Sequence, residues 1–269
     1  MNRAGRSDAK SFWAQGKVLQ IWQGRILTVN EAIQFKSAND FSENDEKIYL
    51  GEIDKVHYFA VHKEFSDGNT LREIVGNLND TDLEVAVTAL ALLNWHESHP
   101  KCPRCGADTE IVENGWVRKC RVDESNHFPR TDPAIIVAVQ DQDGRICLGR
   151  QSSWPEGRYS NFAGFVEPGE SLEAAVIREV AEESGLKVSE IKYLSSQPWP
   201  FPNSIMLAFE AFTDNPEVAK PDGQEIVDLK WFTKSELREA IKDGSLKLPP
   251  GTSVSGKMVE FWLNGKSRG

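Results

Sequence analysis

The sequence predicts an α+β protein with a mixed sheet in its C-terminal half. Short apolar runs separated by polar turns recur along the 269 residues, which is typical of strands. One strongly marked amphipathic helix interrupts them at residues 171–184, and a second helical pattern follows at 233–244. Because the elements are mostly strands, with one marked helix in the middle and another near the end, the pattern predicts the α+β class.

Length and charge set the broad class of the protein. A chain of 269 residues is expected to form two compact units, and a net charge of −10 disfavours unspecific attraction to nucleic acid or anionic lipid. An anionic substrate would then need divalent cations held by carboxylates. No apolar run approaches the roughly 20 residues that span a bilayer, and the first residues lack the features of a signal peptide, so we expect a cytoplasmic protein without membrane segments.

Residues 1–100 are predicted to form an N-terminal, mainly β domain with one long helix. The runs KVLQIW, RILTVN, KIYLGEI and HYFAVH are expected to be strands of a small sheet. The stretch from Asp82 to His99 places apolar residues on one wide helical face, which would pack on that sheet or on a partner chain. The residues of this face are Leu83, Val87, Leu90, Leu93 and Trp95.

Residues 101–130 are predicted to hold a structural zinc ion. Three of the four cysteines, Cys102, Cys105 and Cys120, lie close together in a chain that is expected to be cytoplasmic, which favours metal over disulfide. Two thiolates separated by two residues can chelate one tetrahedral ion from a tight turn. For the fourth ligand we prefer His127, the softer ligand, over Asp123. The alternative is a chain that has lost zinc and keeps three free thiols.

Residues 131–269 are predicted to form the second domain. Strands are expected at 134–140 and 145–151, joined by the turn DQDG, and then at SNFAGFVE, IKYLSSQ, SIMLAFEAF and IVDLKWF. Cys147 alternates with apolar neighbours in the second of these strands, so we expect it in the core. His96, in the earlier helix, is expected to be packed or solvated and not a metal ligand.

The helix at 171–184 carries an unusual stripe that begins apolar and ends acidic. Its members, at spacing i, i+4, i+7 and i+11, are Leu172, Val176, Glu179 and Glu183. Glu182 adds a third acid on the same side, and buried carboxylates are costly unless they are paired or bind a cation. Arg178 can neutralise one charge, with Glu170 as its expected partner across the loop. The remaining acids predict a divalent-metal site.

The segment GFVEPGESLEAAVIREVAEESGL, residues 164–186, resembles the Nudix box at every defined position. The resemblance implies a Nudix α/β/α sandwich and hydrolysis of a nucleoside diphosphate linked to another group. It also implies that Glu179, Glu182 and Glu183 bind Mg²⁺ or Mn²⁺, with Glu183 polarising the attacking water, and that Glu170 and Arg178 form the supporting ion pair.

A second motif, SQPWPFPNS at residues 196–204, resembles the signature of NADH pyrophosphatases, the NudC-like group of Nudix enzymes. This resemblance implies NAD(H) as substrate, NMN(H) and AMP as products, and removal of NAD caps from RNA 5′ ends. It also implies substrate contacts by Gln197, Ser204 and the stacking aromatic Phe165, and a further metal ligand at Glu225.

Three more features follow from the same resemblance. Phe128 stands where the group often has a tyrosine that the other subunit contributes, which implies a homodimer. Ser255 lies in LPPGTSVSGKMVEFW, which resembles a closing substrate loop. The group's fourth zinc-binding cysteine is replaced by Asp123 in this sequence.

Two other functions remain open at this stage. A Nudix hydrolase of another diphosphate, such as ADP-ribose or a diadenosine polyphosphate, would use the same box. A non-catalytic regulator would keep the fold only to bind a nucleotide, but the presence of every box carboxylate argues against it.

Overall fold

The computed structural model describes residues 1–265, which divide into two compact units. The first comprises Met1–Thr131 together with Trp199–Asn203, and the second comprises Asp132–Pro198 and the chain from Ser204 onward. Residues 101–130, expected to be a separate zinc-binding segment, belong to the first unit. No helix among residues 1–265 combines the length and the apolar character needed to cross a membrane.

The strands of the first unit are β1 (Lys17–Trp22), β2 (Arg25–Ile26), β3 (Thr28–Val29), β4 (Ala32–Ile33), β5 (Lys36–Ser37), β6 (Lys47–Ile53), β7 (Val56–His62), β8 (Asn69–Thr70), β9 (Thr109–Val112), β10 (Val117–Cys120) and β11 (Asn126–His127). Its helices are α1 (Ala9–Phe12), α2 (Leu71–Ile74) and α3 (Asp80–Ser98). The strands of the second unit are β12 (Asp132–Asp141), β13 (Ile146–Gln151), β14 (Phe162–Phe165), β15 (Ser189–Trp199), β16 (Ser204–Thr213) and β17 (Ile226–Phe232). Its helices are α4 (Leu172–Ser184), α5 (Lys234–Lys242) and α6 (Val254–Leu263).

A sheet covered by α3 forms the core of the first unit. The strand order is β6-β7-β1-β2-β8, with β5 paired to β1, and β1 runs parallel to β7. The predicted apolar face of α3 packs on this sheet, and Leu90 and Leu93 are buried in the same cluster as Leu19 and Ile48 of the strands. The side chain of Asn79 caps the helix by accepting a hydrogen bond from the Asp82 amide.

The second unit is a sheet with helices on both faces, so the predicted α+β class and sandwich architecture are confirmed. Its strand order is β15-β16-β12-β13-β17, with β14 also paired to β12. Alternate residues of β12 enter different cores: Ile135 and Val137 pack with α4, whereas Ile136 and Ala138 pack with α5 and α6. Cys147 is fully buried beside α4, as predicted for a core residue.

Two segments differ from the elements expected for them. The segment expected only as a closing loop after residue 248 continues into helix α6, whose N-cap Ser253 accepts a hydrogen bond from the Gly256 amide. The aromatic-proline motif leaves the second unit between Pro198 and Ser204, because residues 199–203 pack with the first unit.

Candidate functional site

Helix α4 carries the box carboxylates in the register expected from the sequence. The Ser171 side chain accepts a hydrogen bond from the Ala174 amide at the start of the helix, and Gly185 ends it in the left-handed conformation with φ of 69°. Val176 lies in the core on the same side as Glu183, whose residue exposure is only 4%. The apolar stripe therefore turns Glu183 inward, whereas Glu182, which was expected on the same side, is exposed.

Within residues 1–265, Glu183 is a buried acid without a cationic partner. Its Oε2 atom is buried and has no hydrogen-bond partner in this part of the chain. Burial, followed by the negative charges of Glu225 and Glu179, raises the pKa of Glu183 to about 8, although a backbone hydrogen bond from Ala163 opposes the rise. A carboxylate at this position is stable in its ionised form only if a positive charge joins the cluster.

Arg178 binds the carboxylates on the outer side of the helix. It forms a two-point ion pair with Glu170, in which Nε and Nη2 donate to the two carboxylate oxygens at 3.1 and 2.5 Å. Its Nη1 atom donates to Glu179 at 2.7 Å and to Glu182 at 3.1 Å. The hydrogen bond from Arg178, with one from the Glu167 amide, lowers the pKa of Glu170. Arg178 is thus occupied by three carboxylates, and Glu183 is not one of them.

The Glu179 carboxylate lies against β14. A β-carbon built on Gly164 would stand 2.0 Å from the Glu179 Cδ atom, so glycine leaves room for this side chain where it lies. Burial, opposed by the Arg178 hydrogen bond, raises the pKa of Glu179. The first residue of the box motif therefore shapes the acidic site directly.

Glu225 lies in the loop before β17 and is exposed. Gln151 donates a hydrogen bond from Nε2 to the Glu225 carboxylate at 3.4 Å. Within the described residues 1–265, the predicted acids do not bring three ligand atoms within 4.8 Å of one another. Even so, the unpartnered Glu183 oxygen and the mutual repulsion of Glu179, Glu183 and Glu225 fit a site that takes up hard cations through oxygen ligands.

The predicted substrate residues Gln197 and Ser255 hold the loop before α6. Gln197 accepts a hydrogen bond from the Val254 amide at 2.7 Å and donates to the Thr252 carbonyl at 2.9 Å. The Ser255 hydroxyl lies 2.8 Å from that of Ser160, and the residue is buried. In this structure both side chains therefore contact protein atoms.

Asn161 and Ser160 were not anticipated from the sequence. Asn161 Nδ2 donates to the hydroxyl and to the carbonyl of Ser255 at 3.0 and 3.3 Å, while its Oδ1 atom is buried without a partner. No motif marks these positions, because two polar residues before a short strand are common. Only their contact with α6 shows that they support the predicted substrate loop.

The remaining predicted substrate contacts differ in exposure. Ser204, at the start of β16, is buried, whereas Phe165, at the end of β14, is 58% exposed and available to a flat ring. Phe128 belongs to the first unit and is 63% exposed.

The aromatics of the SQPWPFPNS motif pack inside the first unit. The Arg72 guanidinium lies over the ring of Phe201 at 4.2 Å and over that of Trp199 at 5.2 Å. Asn94 Nδ2 donates to the carbonyls of Pro200 and Pro202 at 3.1 and 3.0 Å. These contacts give the motif a structural role in the first unit in addition to any role in substrate binding.

The second candidate site is a compact cluster of Cys102, Cys105, Cys120 and Asp123, whose ligand atoms all lie within 4.8 Å of one another. The Cys105 and Cys120 sulfurs are 3.5 Å apart, and Cys102 Sγ is 3.7 Å from an Asp123 oxygen. A tetrahedral ion with metal–sulfur bonds of about 2.3 Å places its ligand atoms roughly 3.5–3.8 Å apart. The spacing therefore fits a single metal ion.

Local backbone geometry favours the thiolate form of Cys102, whereas the pKa of Cys120 is raised to about 11. Burial opposes ionisation of Cys102, but amide hydrogen bonds from Cys105 and Arg104 outweigh it and lower the pKa of this thiol to about 6. The amides of Val122 and Asp123 point at Cys120 Sγ, each at 3.4 Å. Both turns thus direct N–H groups at sulfur, as metal knuckles do.

The preference for His127 as the fourth ligand is not supported by this geometry. His127 lies outside the compact cluster, and its Nε2 atom is 3.1 Å from the Ser125 hydroxyl. Asp123 lies within the cluster because it follows Cys120 by three residues in the same turn, whereas His127 follows in β11.

His96, which was not expected to be a ligand, is buried in a polar network. Its Nε2 atom lies 2.9 Å from the Gly115 carbonyl, and its Nδ1 atom lies 3.2 Å from Arg118 Nη1. Because an arginine can only donate, Nδ1 accepts and Nε2 carries the proton toward the carbonyl. Burial is the main cause that lowers the pKa of His96 to about 4.

Comparison with known proteins relates the chain to one family. The profile of the NUDIX domain family matches residues 130–250. The chain is 34% identical to NAD-capped RNA hydrolase NudC of Mycobacterium bovis, over 97% of this chain and 90% of that protein. It is 36% identical to human NAD-capped RNA hydrolase NUDT12, over 69% of this chain and 43% of that protein. A crystal structure of a NUDIX hydrolase from Nitrosomonas europaea aligns over 55% of this chain and 96% of its own with 19% identity and a TM-score of 0.44.

Proposed function

The chain belongs to the NudC-like family of Nudix hydrolases, and on that premise we propose that it hydrolyses the pyrophosphate bond of NAD(H) to NMN(H) and AMP. The same bond links the NAD cap to RNA in capped transcripts, so cap removal is part of the proposal. The observation that carries it is Glu183, a buried acid with an unpartnered oxygen beside Glu179 and Glu225.

Each acidic residue has a distinct part in the proposed reaction. Glu179, Glu182, Glu183 and Glu225 would hold Mg²⁺ or Mn²⁺. When bound, the ions supply charge stabilisation at the phosphate oxygens and lower the pKa of the attacking water. Glu183, the most buried of these four acids, would accept the proton of that water. The Glu170–Arg178 pair keeps Glu179 in position and adds no competing cation next to Glu183.

Substrate recognition is assigned to the residues around α4 and α6. The exposed ring of Phe165 is available to stack on a base. Gln197 and Ser255 fix residues 252–255, so their contribution is to position the loop whose backbone meets the substrate. Ser204 lies at the start of β16, an inner strand of the sheet in the second unit.

The Cys102–Asp123 cluster is proposed to hold one structural Zn²⁺, with Asp123 as the fourth ligand. The spacing of its ligand atoms and its softness, three sulfurs and one oxygen, support this choice. Three thiols kept reduced are typical of the cytoplasm, which we propose as the location of the protein.

A homodimer is proposed as the functional assembly, with Phe128 contributed to the active site of the other subunit. Phe128 is 63% exposed and is therefore accessible to a second copy of the chain. Light scattering of the purified protein would measure the assembly, and F128A should impair NADH hydrolysis more than it changes folding.

The function is tested by a substrate panel with purified protein and Mn²⁺, with products separated by chromatography. Release of AMP and NMNH from NADH is the expected result. Faster turnover of ADP-ribose or a diadenosine polyphosphate would assign a different diphosphate substrate. Nucleotide binding without turnover would identify a non-catalytic regulator and refute the proposal.

A further inference from the structure

The loop between β13 and the turn at Tyr159 lies beside a proposed metal ligand. The Ser152 amide donates to the Glu225 carbonyl at 3.1 Å, and Gln151 Nε2 donates to the Glu225 carboxylate at 3.4 Å. The segment 152–158 therefore starts next to Glu225, one of the acids of the proposed metal site. None of its residues belongs to the box or to the aromatic-proline motif.

This loop is held in place at its far end as well. The Lys247 amide donates to the Gly157 carbonyl at 2.8 Å, and the Tyr159 amide donates to the Lys247 carbonyl at 3.2 Å. Gly157 has φ of 79°, and a β-carbon there would stand 2.7 Å from the Ser245 carbonyl oxygen. Residues 152–158 are thus fixed at both ends by backbone hydrogen bonds. We call this segment the rim.

Trp154 and Arg158 form a pair on this rim. The Arg158 guanidinium lies 5.1 Å from the centre of the Trp154 ring. Arg158 is exposed and Trp154 is half-buried. In residues 1–265 no carboxylate pairs with Arg158 within 4 Å, although Glu156 lies two positions away. The Arg158 guanidinium is therefore available to bind an anionic group of a ligand.

We propose that Trp154 and Arg158 form a subsite for single-stranded RNA, receiving the first nucleotide and phosphodiester that follow the NAD cap. The inference rests on the proposed function. A chain with a net charge of −10 repels a polyanion over most of its surface, so RNA needs a local cation at the entrance. An indole beside that cation offers a stacking face that accepts any base.

The position of Trp154 and Arg158 explains why they would contact the RNA chain and not NADH. NADH has only the diphosphate, which the acidic site and its cations engage. In capped RNA the nucleotide chain continues beyond the dinucleotide, and its phosphodiesters must extend out of the site into solvent. Arg158 is exposed whereas Glu183 is buried, so the added part of capped RNA can reach Arg158 from solvent.

The experiment compares kcat/KM for NADH and for a short NAD-capped oligoribonucleotide at fixed Mn²⁺. The variants are R158Q, W154A and W154F, with K192Q as the matched control, because Lys192 is also an exposed cation over an aromatic ring, that of Phe212 at 5.9 Å. Thermal unfolding of each variant monitors folding.

We expect W154A to lower the ratio of capped RNA to NADH activity by roughly 5- to 150-fold, the range of one lost base stack, and W154F to restore most of it. For R158Q we expect a lower ratio and a slope of log kcat/KM against log salt that is about 0.7 less negative, as for one lost phosphate contact. K192Q should leave kcat/KM unchanged for both substrates.

Three outcomes would overturn the subsite. These are an unchanged ratio in R158Q and W154A, an equal loss on both substrates, and a wild-type protein that cleaves NADH but not capped RNA. Failure of the proposed pyrophosphate hydrolysis itself looks different, because the wild-type protein would then cleave neither substrate.

Discussion

The Glu179 carboxylate occupies the space that a side chain at Gly164 would need. A β-carbon at residue 164 would stand 2.0 Å from Glu179 Cδ, a distance that real β-carbons do not show. The neighbours of the carboxylate leave it little freedom, because Arg178 Nη1 holds one of its oxygens at 2.7 Å. The glycine and the acid thus depend on each other across fourteen residues of sequence.

Gly164→Ala should therefore displace Glu179 and impair both activity and stability. We expect a loss of about 1–3 kcal/mol in the free energy of unfolding, the usual cost of overpacking, and a fall in kcat for NADH. Denaturant titration and steady-state kinetics measure the two effects. Gly76→Ala is the control, because a β-carbon at residue 76 meets no atom within 4 Å. Equal behaviour of the two variants would contradict the close approach.

Glu183→Gln should remove most of the activity while the protein stays folded. If Glu183 accepts the proton of the attacking water, kcat should fall by about 10²- to 10⁴-fold. The amide carries no charge, so it removes the repulsion with Glu179 and Glu225 and should not lower the thermal midpoint measured without Mg²⁺ or Mn²⁺. Glu173→Gln, on the exposed face of the same helix, should keep full activity. Near wild-type turnover in E183Q would exclude this role.

Asp123→Ala should weaken metal binding at the cysteine cluster by more than about a hundredfold, because even loss of an outer-shell partner costs roughly 10- to 100-fold. Elemental analysis after dialysis against a chelator should find about one zinc per chain in the wild type, as expected for one four-ligand site. It should find much less in D123A, while D123C should retain the zinc.

His127→Gln distinguishes the two candidate ligands. Since His127 contacts Ser125 and lies outside the cluster, we expect H127Q to keep its zinc under the same dialysis. Loss of zinc in H127Q with retention in D123A would show that the histidine, not the carboxylate, completes the site.

His96 should make the first unit less stable as the pH falls. Burial holds its pKa near 4 in the folded chain, below the unfolded value of 6.5. The unfolded chain therefore binds more protons between these values, so the stabilisation is fully present above pH 6.5 and is lost as the pH falls toward 4. One such group changes the free energy of unfolding by at most about 1.4 kcal/mol per pH unit. Hydrogen exchange of α3 amides at pH 7 and pH 5 measures it.

The His96→Gln variant isolates this contribution. Glutamine keeps a donor for the Gly115 carbonyl but does not titrate, so the difference in pH dependence between wild type and H96Q belongs to His96. His99→Gln, at an exposed position just after α3, should leave the dependence unchanged. If H96Q and the wild type lost stability in parallel, burial of a neutral histidine would not be the cause.

The local elements and the acidic stripe were accessible from sequence because they depend on short-range periodicity. The spacing of Val176, Glu179 and Glu183 fixes one helical face whatever surrounds it, and Ser171 and Gly185 mark its ends. The two motifs likewise identified the family, since their residue types and spacing are linear features. The run AIIVAVQ indicated the strand that became β12 but not which helices cover each of its faces.

Tertiary structure decided everything that depends on which distant segments meet. Asp123 rather than His127 joins the cysteines because the turn after Cys120 brings its carboxylate back toward Cys102, which ligand softness could not reveal. The aromatics Trp199 and Phe201 pack against Arg72, far away in sequence. By itself, then, the sequence determined the acidic helix and the family. The fold decided the neighbours of each charge, because burial and distance set the energy of a charged group.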